Sequence, residues 1–90
     1  MARIDFQNYA DTAANGALFV DADILFDFGM RAALGRDGTV DLVAAHMYFN
    51  LADRKGCERA AFHRQDMAGQ MSKSQIAAAL RSAREWLTRH

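Results

Sequence analysis

The chain has 90 residues, 51% of them apolar, with 11 basic and 11 acidic side chains. That apolar content argues against a disordered chain, and the length allows one domain with a modest core. Eighteen residues are Ala and none is Pro, so the expected fold is all-α, and β-branched residues are too sparse for a sheet.

The balanced net charge hides a segregation. Residues 1–45 carry three basic and seven acidic side chains, a balance of −4. Residues 46–90 carry eight basic and four acidic ones, a balance of +4. Two readings stand: a field that steers association within the chain or between copies, or an ordinary solvated surface. Cys57 is the single cysteine, which allows no internal disulfide and suits a reducing compartment. Met1–Val20 lacks the continuous apolar run of a secretion signal, and no stretch is long enough to span a bilayer. A cytoplasmic location without membrane contact is therefore expected.

Four to five antiparallel helices are predicted. The first covers about Asp5 to Asn15, where Phe6, Tyr9, Ala10 and Ala13 share a helical face and Gly16 follows. The second covers Ala22 to Leu34, with Asp21 as N-cap and Gly35 as stop. It carries two apolar stripes. Ile24 or Leu25, Phe28 and Ala32 form one; Phe26, Met30 and Ala33 form the other. A helix apolar on two faces is packed on two sides. The first helix or a partner protein could cover the second stripe.

Gly35 to Gly38 read as a turn. The third helix covers Asp41 to Lys55, burying Leu42, Ala45, Tyr48, Phe49 and Ala52, with Gly56 after it. The fourth covers Glu58 to Gln70. Arg64 interrupts its apolar face of Ala60, Ala61, Met67, Ala68 and Met71, so Arg64 must pair or extend to solvent. The fifth opens at Ser72-Lys73-Ser74-Gln75, a capping box, with Met71 and Ile76 placed as a hydrophobic staple. Its stripe is Ile76, Ala79, Leu80, Ala83, Trp86 and Leu87.

The stretch Phe28 to Gly56 resembles the Sel-one-like repeat, a helix-pair relative of the tetratricopeptide (TPR) repeat. Phe28-Gly29 stands at the family's Leu-Gly pair and Gly35 at its first turn glycine. Asp41, Ala45, the pair Tyr48-Phe49, Ala52 and Gly56 fall at later pattern positions. The phrase DLVAAHMYFNLA from Asp41 is similar to the bacterial branch. MSKSQIAAALRSAREWL from Met71 is similar to the capping helices that follow the last repeat there. Ala32, Asp37, Gly38 and Asp53 depart from the pattern. The resemblance implies a TPR-like helix pair at 21–56, an N-terminal cap segment at 1–20 and a C-terminal helix pair at 57–90. It also implies a non-enzymatic adaptor. A lone repeat exposes faces that stacked neighbours would bury. Its own ends must cover it, or a second copy must, unless the chain is the end piece of a longer array.

Residue spacing offers little chemistry. His46, Cys57 and His63 lack the i, i+4 or C-x-x-C spacing of zinc ligands. His63 falls off the face of Cys57, as a base for a thiol nucleophile should not. No phosphate-binding loop occurs, and neither cofactor nor metal is expected. A protein partner, with a homodimer as one form, is expected on Phe26, Met30 and Ala33, with Met47 beside them. The competing reading is a DNA-binding regulator using the basic C-terminal half. Residues 74–80 are similar to the first helix of a helix-turn-helix, yet Arg81-Ser82-Ala83-Arg84 supplies no turn before a recognition helix. Nucleic acid is therefore the less favoured partner.

Overall fold

The computed structural model describes residues 20–89. The predicted helix at Asp5–Asn15, and the cap segment 1–20 apart from Val20, lie outside the described residues. Within 20–89 the fold is all-α. Helix α1 spans Ala22–Leu34, α2 Leu42–Arg54, α3 Glu58–Ala68 and α4 Lys73–Arg89.

Several helix boundaries have a local cause. The Asp21 carboxylate accepts from the Asp23 N–H at 2.9 Å and opens α1. The Asp41 carboxylate accepts from the Ala44 N–H at 3.0 Å and opens α2. Both satisfy donors that a helix start leaves unpaired. Helices α1 and α2 close in the same way. Gly35 and Gly56 take φ of 69° and 100°, where a side chain would be strained. The N–H groups of Arg36 and Cys57 then donate back to the carbonyls of Arg31 and Ala52, each at 3.0 Å, which completes a Schellman turn. The capping box at α4 is formed in both directions. The Ser72 N–H donates to Gln75 Oε1 at 2.9 Å, and the Gln75 N–H donates to Ser72 Oγ at 3.1 Å. Helix α3 is shorter than expected and ends at Ala68, where Gly69 and Gln70 continue as a turn.

Helix α2 is the hub. The principal helix interfaces are those of α1, α3 and α4 with α2, and among its residues only Arg54 is exposed. Its buried set is wider than one stripe: His46 and Leu51 join Ala45, Phe49 and Ala52. Small residues let the neighbours approach. Ala60 of α3 and Ala79 and Ala83 of α4 are buried, with Met67 and the half-buried Trp86 filling around them.

The expected two-faced α1 is a single face. Leu25, Phe26 and Gly29 are its buried residues. Gly29 lies at the centre, with Leu25 and Ala32 on one shoulder and Phe26 and Ala33 on the other. The centre is bare because Phe49 occupies it. A Cβ on Gly29 would stand 2.6 Å from Phe49 Cε1, well inside carbon contact distance.

Candidate functional site

Phe49 organises the interior. Its ring lies 5.6 Å from that of Phe26 and stacks on His63 at 5.2 Å. Phe26 meets His63 edge-on at 5.3 Å, and the Arg59 guanidinium covers its face at 4.2 Å. This placement corrects one expectation: Phe26 belongs to the core between α1, α2 and α3 and is no open partner surface. Met30, Ala33 and Met47 are half-buried and pack against that core. Of the four side chains expected to form one binding face, Phe26 is buried, while Met30, Ala33 and Met47 keep part of their surface open.

Two phenylalanines are exposed among the described residues, Phe62 of α3 at 70% and, beside a second large ring, Phe28 of α1, which sequence periodicity assigned to packing. Phe28 is 41% exposed and meets Tyr48 of α2 edge-to-face at 5.4 Å between centroids. Phe28, Arg31, Ala32, Asp37 and Tyr48 line a cleft of about 130 Å³. Its rim is an ion pair in which Arg31 Nη2 donates to Asp37 Oδ1 at 2.7 Å. The hydrogen bond to Asp37, then the charge of that carboxylate, raises the Arg31 pKa above its ordinary value. The cleft combines two aromatic rings with a charged edge. The aromatic residues themselves were visible in the sequence, but the pairing of Arg31 with Asp37 across the turn was not.

A second polar group lies deeper. Asp53 pairs with Arg64 of α3 at 3.5 Å. That contact answers the expectation that Arg64 must pair. His46 is 2% exposed and its Nδ1 has no hydrogen-bond partner; the same holds for Arg64 Nε. Burial, then the Arg64 charge, lowers the His46 pKa. A side chain so enclosed cannot reach a substrate. Cys57 is also buried, as the N-cap of α3, and makes no side-chain cap bond. Among the described residues, no three His, Cys, Asp or Glu side chains come together as a metal site would require.

The outer side of α4 carries Lys73, Arg81, Arg84 and Arg89, all exposed. Arg81, Arg84, Glu85, Thr88 and Arg89 border one groove there. The helix runs unbroken from Lys73 to Arg89, so no separate recognition helix follows residues 74–80. No described helix is long and apolar enough to cross a membrane.

No protein-family model matches the chain, and neither a curated protein nor a solved structure is similar enough to it to match.

Proposed function

We propose that the chain is a non-enzymatic protein-binding module, a small adaptor that works in the cytoplasm. In this reading Phe28 to Gly56 is a Sel-one-like helix pair whose open aromatic cleft takes a partner's side chain. The edge-to-face contact of exposed Phe28 with half-buried Tyr48 carries the proposal. An aromatic left 41% open beside a second ring is placed for recognition, because burying it on binding removes a large apolar area from water. The Arg31–Asp37 rim adds polar contacts that orient the incoming chain. The resemblance supports the same reading, since stacked repeats bury one another's faces and a lone repeat has one to offer.

A random-peptide display library panned on the full chain tests this. Enriched peptides should share an aromatic or large aliphatic anchor. Phe28→Ala should weaken them by about tenfold or more, the effect of losing a hot-spot contact, with the fold unchanged by circular dichroism. Absence of enrichment, or equal binding to the variant, would refute the proposal.

A further inference from the structure

The segregated charge becomes a surface relationship once the helices are placed. On the acidic half, Asp21 and Asp41 are occupied as N-caps and Asp37 is paired with Arg31. Asp23 and Asp27 lie on the exposed side of α1, one turn apart, and Asp27 also stands one turn from Arg31, whose pKa its charge helps to raise. Like charges at that spacing repel each other. On the basic half, Arg64 is engaged by Asp53 and Arg59 by the Phe26 ring. Arg81 and Arg84 lie on the exposed side of α4, also one turn apart, with exposed Glu85 one turn beyond Arg81 and with Lys73 and Arg89 toward the helix ends. Each charged pair borders apolar surface. Phe28 stands next to Asp27 on α1, while Leu80 and Leu87 flank Arg84 on α4, 38% and 36% exposed.

We infer that α4 of one copy docks on α1 of a second copy, with Arg81 and Arg84 facing Asp23 and Asp27. This goes beyond the partner-binding proposal and deepens it by naming one partner, a second copy of the chain. A pairing of α1 with α1 sets carboxylates against carboxylates, and α4 with α4 sets guanidinium groups together. The α1–α4 pairing instead sets each of these like-charged pairs against its opposite. The spacing matches too, because residues three or four apart on a helix stand one above the other, so two ion pairs form together. Leu80 and Leu87 then lie toward Phe28. An outside partner complementary to one surface leaves the other unmet, whereas a second copy carries the complement of both. The contact depends on exposed charges and is therefore weak and sensitive to salt.

Sedimentation of the full chain at about 20 mM and about 500 mM salt, a range over which charge screening becomes nearly complete, tests this. The weight-average mass should rise with concentration at low salt and fall to the monomer at high salt. Arg81→Glu/Arg84→Glu and Asp23→Arg/Asp27→Arg should each stay monomeric alone, and an equimolar mixture should associate again. Circular dichroism verifies that both variants fold, and Arg81→Gln/Arg84→Gln provides a milder form of the first. A monomeric wild type at low salt, a variant that associates alone as the wild type does, or a mixture that stays monomeric would each overturn the inference. None of these outcomes touches the Phe28 peptide assay, so the two proposals fail separately.

Discussion

Phe49 rests on the backbone of Gly29: a methyl group at that position would lie 2.6 Å from Cε1 and 2.7 Å from Cδ1 of the ring. Phe49 is itself fully enclosed by Phe26 and His63, so the ring has nowhere to withdraw. Two effects therefore oppose each other in Gly29→Ala. Ala favours the helix by about 1 kcal/mol. Overpacking of a close-packed interior disfavours it by about 1–3 kcal/mol, occasionally more. The clash prevails here because it falls on ring atoms held from several sides. Gly29→Ala should lower the melting temperature by several degrees, and Gly29→Ala with Phe49→Leu should be less destabilised than the two single changes added together. A thermal melt at least as high as the wild type's would contradict this packing.

The capping box makes an independent prediction. Ser72→Ala removes the acceptor for the Gln75 N–H and should destabilise the domain by about 1 kcal/mol. Gln75→Ala removes the reciprocal bond to the Ser72 N–H. The bonds share one turn, so the double variant should lose less than the sum of the single losses. Urea denaturation of the four proteins measures the coupling.

Stability should also depend on pH through His46. Its folded pKa lies below the ordinary 6.5, first through burial and then through the Arg64 charge. The unfolded chain therefore binds a proton more readily than the folded one. The contribution is complete above the unfolded pKa and is lost as pH falls below it toward the folded value. Urea midpoints should fall between about pH 7 and about pH 5.5, within the range where an unfolded histidine takes up its proton. His46→Leu should flatten that part of the profile. An unchanged slope in the variant would assign the effect to other groups.

Arg64 offers a further test through its pair with Asp53. Asp53→Ala leaves a half-buried guanidinium without its carboxylate. The pair is partly solvent-exposed and 3.5 Å apart, so the expected loss is modest, up to about 1 kcal/mol. Asp53→Ala with Arg64→Met should recover stability, because Met restores the apolar packing without a charge to satisfy. Paired denaturation curves decide it.

Much of the fold was legible because helix ends are local. Asp21, Asp41 and Ser72 cap their own next turn, and Gly35 and Gly56 end theirs, with no need of distant contacts. What periodicity missed was tertiary. Gly29 has no side chain and so gives no hydrophobic signal, yet it marks the centre of the α1 face. Its two shoulders consequently read as separate stripes, which put Phe26 on the partner surface and Phe28 in the packing. Periodicity also assumes that a helix has one buried side. His46 and Leu51 escaped notice because α2 is enclosed by neighbours in several directions. The Phe28–Tyr48 cleft depends on how α1 crosses α2, which no spacing within either helix encodes.

The enclosure of α2 bears on whether the helix pair is a detachable part. A chain ending at Gly56 would retain α1 and α2 but strip away α3 and α4, which together cover much of the hub. Leu51, His46 and Ala52 rely on a sheath assembled from segments on both sides of that boundary. The helix pair and the cooperative unit thus differ in extent: the packing of residues 28–56 is completed by Leu25 and Phe26 before them and by α3 and α4 after them.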